Sequence, residues 1–262
     1  MTMTTTTTTT TTTLASLEVA LYKAADVIKC AQNIAILTGA GVSAESGIST
    51  FRDKLTGLWQ HYQAEYLVSI QAFEKEPAVV WQWHQWWRGQ IADKQPNPAH
   101  FALGEWQTLA KQQGKTWTLF SQNVDNLHEQ GGATVAKLHG DLAKNHCHDC
   151  GKPYDKAIAV TDTELKHCEC GGLIRPDIVW FGEMLPQEAW QTAETAALNC
   201  DVLVSIGTSS VVYPAAGLID LAKQQGATVI EINPNPTHTA AVDIVLPDNA
   251  GKILPLLVKA LK

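Results

Sequence analysis

Four of the six cysteines in this 262-residue chain fall within 24 residues, as Cys147-x-x-Cys150 and Cys168-x-Cys170. In a reducing compartment, two close thiol pairs point to a metal before a disulfide. Thiolates hold zinc tetrahedrally at about 2.3 Å, and each pair can close one side of the ion. Gly151, Gly171 and Gly172 follow the pairs and let the chain curl so that backbone amides face sulfur. Four protein ligands fill the coordination sphere, so such a zinc holds structure instead of doing chemistry. The alternatives are four free or redox-active thiols, or replacement of one ligand by His146, His148 or His167. Cys30 and Cys200 stand alone on apolar-patterned segments and are expected to be buried hydrophobes.

A second set of residues sits where apolar runs end. Gly39-Ala40-Gly41-Val42-Ser43 follows a strand-like run, so its backbone can approach a phosphate pair without a Cβ in the way. The dehydrogenase fingerprint is incomplete there: residue 44 is Ala, and no acid follows about 20 residues on at a strand end. A tight strand-to-loop turn is the alternative. Three further runs end in polar residues: 121–128 (Ser-Gln-Asn-Val-Asp-Asn-Leu-His), 207–210 (Gly-Thr-Ser-Ser) and 231–235 (Glu-Ile-Asn-Pro-Asn). Ligands of parallel α/β sheets bind beyond the carboxyl ends of the strands, so four polar ends imply one shared crevice for a nucleotide. His139, in Leu138-His139-Gly140, titrates near neutrality and is the candidate acid–base group.

The elements that must position these residues follow from periodicity. Leu14, Leu17, Leu21, Ala24, Ala25 and Ile28 recur at helical spacing. Short buried strands are expected at 33–38, 116–121, 202–206, 228–232 and 243–246, with helices at 99–113, 187–198, 213–225 and 252–261. Alternation of this kind predicts an α/β fold with a Rossmann-like, doubly wound parallel sheet. It assigns residues 14–53, 99–140 and 181–262 to the nucleotide-binding domain. A smaller lobe is expected from a helical, aromatic module at 54–98 and a zinc module at 141–180. The eleven threonines of residues 2–13 offer nothing to bury, so residues 1–13 are expected to be disordered.

Composition sets the limits. A chain of this length buries roughly 70–75% of its extended surface and needs no disulfide staples. A net charge of −7 argues against nucleic acid and anionic lipid as partners. No apolar run reaches about 18 residues, and no basic segment precedes the first apolar stretch. Neither a spanning helix nor a secretory signal is expected, and the location expected is cytoplasmic.

Taken in order, residues 39–52 (Gly-Ala-Gly-Val-Ser-Ala-Glu-Ser-Gly-Ile-Ser-Thr-Phe-Arg), Gln122-Asn123-Val124-Asp125, Leu138-His139-Gly140, the cysteine pairs, 179–183, Gly207-Thr208-Ser209 and Asn233 resemble the sirtuin family of NAD-dependent protein-lysine deacylases. The resemblance runs from about residue 31 to the C-terminus and lies nearest the bacterial branch close to the desuccinylating sirtuins. It implies NAD consumed as a co-substrate and acyl-lysine bound in the cleft between a Rossmann-like lobe and a zinc-and-helix lobe. Gly39, Ala40, Phe51 and Arg52 would belong to the loop over the pyrophosphate and nicotinamide ribose, with Ser43, Glu45 and Trp59 also on the cofactor. Gln122, Asn123 and Asp125 would line the nicotinamide pocket, and Gly207, Thr208, Ser209, Asn233, Asn235 and Ala250 would hold the adenosine half. His139 would deprotonate a ribose hydroxyl, with Asn123, Asp125 and Arg52 completing the catalytic set. Val179, Trp180, Phe181, Gly182 and Glu183 would form the acyl-lysine tunnel and pair with the substrate backbone. Implied products are free lysine, nicotinamide and O-acyl-ADP-ribose.

Two departures stand out. Ser49 replaces a proline common in the family, a change tolerated in the bacterial branch. More consequentially, residues 81–88 (Trp-Gln-Trp-His-Gln-Trp-Trp-Arg) fall where desuccinylating relatives carry a Tyr-x-x-Arg pair that grips an acidic acyl tail. His84 takes the tyrosine position and Trp87 the arginine position. Tryptophan cannot replace the paired hydrogen bonds of a guanidinium to a carboxylate. Trp83, Trp86 and Trp87 are then either core or the wall of an apolar acyl pocket, unless Arg88, one place along, reaches in. The expected substrates carry acetyl or longer neutral acyl groups. An NAD glycohydrolase or protein ADP-ribosyltransferase on the same fold is the enzymatic alternative, and a zinc-ribbon binding module the non-enzymatic one.

Overall fold

The structure, a computed structural model, describes residues 7–49 and 63–262. The chain opens with α1 (Thr7–Cys30), β1 (Asn33–Thr38) and α2 (Ala40–Ala44). Four helices follow: α3 (Ala64–Leu67), α4 (Ile70–Lys75), α5 (Pro77–Ile91) and α6 (Pro98–Gln112). Next come β2 (Thr116–Ser121), α7 (Leu127–Gln130), β3 (Ala136–Lys137), β4 (Gly140–Cys147) and β5 (Ile174–Ile178). The last third is α8 (Gln187–Asn199), β6 (Val202–Ile206), α9 (Gly217–Gln224), β7 (Thr228–Ile232), β8 (Ile244–Leu246) and α10 (Ala250–Leu261).

Six strands form one sheet in the order β3-β2-β1-β6-β7-β8, every neighbour parallel. From β1 the chain builds outward through β2 to β3, then returns to the other side of β1 and builds outward again from β6 to β8. The strand order reverses between β1 and β6, which is where doubly wound sheets bind ligands. Alternation along the strands explains the two helical layers. Ile34 and Ile36 of β1, with Val202, Val204 and Ile206 of β6, pack against α1, α6 and α10. Ala35 and Leu37, with Leu203 and Val229, pack against α8 and α9. Both faces are covered, so these strands read as continuous apolar runs.

A smaller lobe is built from two insertions, α3–α5 between β1 and β2 and β4–β5 between β3 and β6. Strands β4 and β5 pair antiparallel and carry the cysteine turns at one end. Val80 and Trp83 of α5 and Phe73 of α4 share a core with Leu142, Ile178 and Trp180. Among the described residues, no helix is long and apolar enough to cross a membrane.

Three details differ from the sequence expectation. Residues 1–6 of the threonine tract lie outside the described residues, but residues 7–13 form the first turns of α1 instead of disordered chain. Once later turns are anchored on the sheet, each added residue extends the ladder without a new nucleus. Cys30 is exposed, not buried: it sits two residues, about 200° around the helix, from the buried Ile28. Cys200 is buried as expected. Helix α9 begins at Gly217, four residues later than its pattern indicates, because residues 213–216 form turns.

Candidate active site

A cavity of about 380 Å³ opens beyond the carboxyl ends of β1, β2 and β6 and extends to α5 and β5 of the small lobe. It brings together Gly39, Ala40, Ser43, Gln122, Asn123, Asp125, His139, Gly207, Thr208 and Ser209 at its polar end. Trp87 and residues 179–183 line the other end.

The polar end depends on glycine. A Cβ built on Gly41 would lie 2.8 Å from the Gly207 carbonyl oxygen, and one on Gly207 would lie 2.6 Å from the Val42 nitrogen. Gly207 also has φ +59°, a left-handed conformation that costs other residues strain. The amides of Gly39 and Gly41 donate to the carbonyls of Ile206 and Gly207 at 3.0 and 2.8 Å. These two glycines thus serve backbone-to-backbone packing of two strand ends, with their own amides already used.

Side-chain hydrogen bonds fix the next layer. Ser43 Oγ donates to Asp125 Oδ2 at 2.9 Å and accepts from Asn123 Nδ2 at 3.1 Å. Gln122 Nε2 donates to Thr208 Oγ1, and Asn233 Nδ2 donates to the Thr208 carbonyl. His139 sits between β3 and β4, ahead of Gly140, whose φ is +80° and where a Cβ would meet the Asp177 carbonyl at 2.2 Å. Its Nδ1 lies 2.9 Å from the Gln122 carbonyl, an acceptor, so Nδ1 carries the proton and Nε2 keeps its lone pair. Burial lowers the His139 pKa from its ordinary value, with the Gln122 carbonyl opposing the shift, which favours the neutral imidazole a base requires.

Beneath this layer lies Thr38, which sequence patterns did not single out, joined to Ser121 and His128 of the polar run 121–128, to which no role had been given. Thr38 and Ser121 are register partners at the ends of β1 and β2. Thr38 Oγ1 donates to Ser121 Oγ at 2.8 Å, and Ser121 Oγ accepts from the Asn123 amide at 3.1 Å. With its hydroxyl proton on Ser121, Thr38 accepts from His128 Nε2 at 2.9 Å. His128 is buried and its pKa falls to about 3, chiefly through desolvation, so it stays neutral. The available signal was a polar residue at the last position of two adjacent buried strands.

At the apolar end, Val68, Trp87, Ile91, Val124, Ile178 and Trp180 line the cavity. Trp87 does face it, whereas Trp83 is buried in the small-lobe core with its ring 5.1 Å from that of Trp87. His84 does not line the cavity. It is fully buried, donates from Nδ1 to the Val80 carbonyl at 2.8 Å, and is flanked by the Trp83 and Trp180 rings. Burial drops its pKa to about 3. Arg88 does not reach in either, because its guanidinium is spent on the carbonyls of Leu142 and Lys144 and the side chains of Gln85 and Asn145. Among the described lining residues there is no Lys or Arg.

Residues 179–183 are braced from behind. Arg175 makes two hydrogen bonds to Glu183, at 2.5 and 2.9 Å, and its guanidinium stacks on Trp180 at 3.3 Å. Burial works against the Glu183 charge, but Arg175 and the Trp180 amide hold its carboxyl below its usual range. The Glu45 carboxylate accepts from the Gly251 amide and ties α2 to the start of α10, beside Ala250. Glu45, Asn233, Asn235 and Ala250 are outside the cavity wall, and the Asn235 amide donates to Asn233 Oδ1 at 3.0 Å. Phe51, Arg52 and Trp59 lie outside the described residues.

The four cysteine sulfurs converge, all within 4.8 Å of one another. Cys147–Cys170 and Cys150–Cys168 are 3.5 and 3.7 Å apart, close to the roughly 3.8 Å edge of a tetrahedron with 2.3 Å bonds. Gly172 leaves room for them, since a Cβ there would come 2.8 Å from Cys147 Sγ. The donor set fits zinc, and none of His146, His148 or His167 belongs to it.

Comparison with known proteins adds three findings. The family model described as the Sir2 family matches residues 39–214. A Mycobacterium tuberculosis protein named "NAD-dependent protein deacylase" is 44% identical over 235 residues, covering 87% of this chain and 97% of that one. Among solved structures, a Sir2 homologue–NAD complex aligns with a TM-score of 0.83 and 40% identity over 91% of this chain and 93% of that one. A second, Sir2Af2 bound to a myristoylated histone peptide, aligns with a TM-score of 0.74 and 33% identity over 94% and 97%.

Proposed function

The chain belongs to the Sir2 family, and from that membership we infer that it is an NAD-dependent protein deacylase acting on acyl-lysine side chains. NAD is consumed and a structural zinc is held by Cys147, Cys150, Cys168 and Cys170. Bound NAD supplies a ribose carbon with nicotinamide as leaving group, and a hydroxyl that finally carries the acyl group as O-acyl-ADP-ribose. The zinc supplies only cross-linking of the two cysteine turns.

The observation that carries the mechanism is the His139–Gln122 hydrogen bond. It fixes the tautomer in which Nε2 is unprotonated, beside Asn123 and Asp125 in the same cavity. His139 accepts a proton from a ribose hydroxyl. Asn123 and Asp125, held through Ser43, orient that ribose and the carboxamide of nicotinamide. Thr208, Ser209 and Asn233 hold the adenosine half, with Gly39 and Gly207 keeping that floor free of side chains. Phe51, Arg52 and Trp59, by the family resemblance, also act on the nucleotide.

The acyl chain lies against Trp87, Ile91, Val68 and Ile178. With His84 buried behind Trp180 and Arg88 turned to β4, a carboxylate tail meets no Lys or Arg among the described lining residues, which favours neutral acyl groups over succinyl. We place the protein in the cytoplasm, where four cysteines stay reduced for zinc.

Nicotinamide release measured with and without an acetyl-lysine peptide tests the activity. It should depend on the peptide. Equal release without it would assign the chain to NAD hydrolysis instead.

A further inference from the structure

Arg88 is only 8% exposed and follows Trp87 directly on α5, about 100° around the helix. Trp87 faces the cavity, and Arg88 faces β4. Strand β4 bulges there. Asp141 pairs with Asp177 and Asn145 with Pro176, which leaves residues 142–144 without register partners on β5. Carbonyls in a bulge lose their ladder donors and, when buried, need others. Arg88 supplies them: Nε donates to the Leu142 carbonyl at 2.6 Å and a terminal nitrogen to the Lys144 carbonyl at 3.0 Å. The same guanidinium donates to Asn145 Oδ1 at 2.5 Å and to Gln85 Oε1 at 2.7 Å. Gln85, buried one turn earlier on α5, donates in turn to the carbonyls of Ala159 and Asp162 in the zinc module, at 2.8 and 3.0 Å.

Both sides of this clamp reach the cavity. The Leu142 amide donates at 2.9 Å to the carbonyl of Val124, which stands between Asn123 and Asp125. Trp87 and Ile91, on the same helix as Arg88, form part of the apolar wall. We propose that Arg88 is a positioning residue that locks α5 to β4, and so holds the acyl wall and the nicotinamide pocket in register with each other. The proposal rests on the deacylase reading above and names a residue that acts on both substrates through others. None of the four acceptors is a carboxylate, so the guanidinium is not there to make an ion pair with them. Burial lowers its pKa to about 10, with the Asp141 charge opposing, and it stays charged at neutral pH. An apolar side chain of similar volume would fill the space without that desolvation. What it would lack is a rigid fork that fixes four acceptors on two elements in one geometry. The adenosine half stands apart from the clamp, since Gly207, Thr208 and Asn233 are held at the ends of β6 and β7.

The test compares the whole protein with Arg88→Met, Arg88→Lys and Gln85→Met, each assayed well below its own Tm. Affinity for an octanoyl-lysine peptide is read by fluorescence anisotropy and affinity for ADP-ribose by calorimetry. Turnover is read as O-octanoyl-ADP-ribose. Arg88→Met should bind the peptide about tenfold more weakly and lose kcat as nicotinamide loses alignment, with ADP-ribose affinity near the parent's. Arg88→Lys keeps the charge without the fork and should recover part of both losses. Gln85→Met removes one acceptor and the tie to the zinc module, so the same pattern should appear at roughly threefold. It decides the question if Arg88→Met does not fold. A lowered Tm with peptide affinity and kcat at parent values would make Arg88 a stabilising residue only and overturn the proposal. Equal loss of peptide and ADP-ribose affinity would mean general loosening of the fold and also overturn it. A parent protein that binds both ligands but transfers no acyl group would contradict the deacylase reading, while the ratio of the two affinities in the variants still decides the role of Arg88.

Discussion

At the polar end of the cavity, glycines let the ends of β1 and β6 touch backbone to backbone; at the apolar end, side chains from α5, β5 and the segment after α3 meet across the boundary between lobes. The first end is specified by what is missing, since no Cβ fits at residues 41 and 207. Bulk specifies the second, where Trp87, Ile91 and Trp180 fill space that another side chain could fill differently. A backbone-built site tolerates almost no substitution. A side-chain-built site can change specificity while the fold stands.

The largest expected effect is at the polar end. His139→Ala should lower kcat/KM by about 10²–10⁴-fold, with thermal unfolding close to that of the parent. Near-parent turnover by the folded variant would remove His139 from the mechanism.

Gly207→Ala comes next. It forces a left-handed residue against the Val42 nitrogen, at a cost of about 1–3 kcal/mol. Expressed in binding, that is roughly 5- to 150-fold weaker NAD affinity, measurable by calorimetry beside a lowered Tm. Unchanged NAD affinity and Tm would mean that the two strand ends are not packed as described.

Trp87→Arg probes the apolar end. A guanidinium there restores a partner for a carboxylate, and a charge-assisted bond is worth about 1.5–3 kcal/mol. The succinyl-to-acetyl ratio of kcat/KM should rise about 10- to 150-fold, with NAD affinity little changed. An unmoved ratio would place the acyl tail elsewhere.

The smallest effect is in pH. Burial disfavours the charged imidazole of His139, so its pKa lies below the ordinary 6.5. The base is lost only as pH falls through that lowered value. The acid limb of kcat/KM should therefore lie below pH 6.5 and the profile stay flat between pH 7 and 8. A limb centred above 7 would contradict a desolvated His139.

The two ends also differ in how far the sequence revealed them. Strands β1, β2, β6 and β7 coincide with their apolar runs because both faces are buried, and the glycine and polar residues after them mark the site directly. The cysteine spacing was equally readable, since a metal site is a local chelate. Strand β3 has only two residues and carries no period. The His128–Thr38–Ser121 chain joins residues 90 apart in sequence and depends on strand register. At the apolar end, position counting paired His84 with Trp87, and their rings do lie 6.2 Å apart, but His84 is buried against Trp83 and Trp180 while Trp87 lines the cavity. Which of four neighbouring tryptophans faces the cavity is decided by the packing of two lobes, so it has no local signature.

The most direct test of the account is kcat/KM on one peptide bearing acetyl-, butyryl-, octanoyl- or succinyl-lysine, with NAD, read by peptide mass and O-acyl-ADP-ribose. All neutral acyl groups should be removed with nicotinamide released in equal amount, and succinyl should be the poorest substrate. A clear succinyl preference, or nicotinamide release with no acyl group transferred, would contradict it.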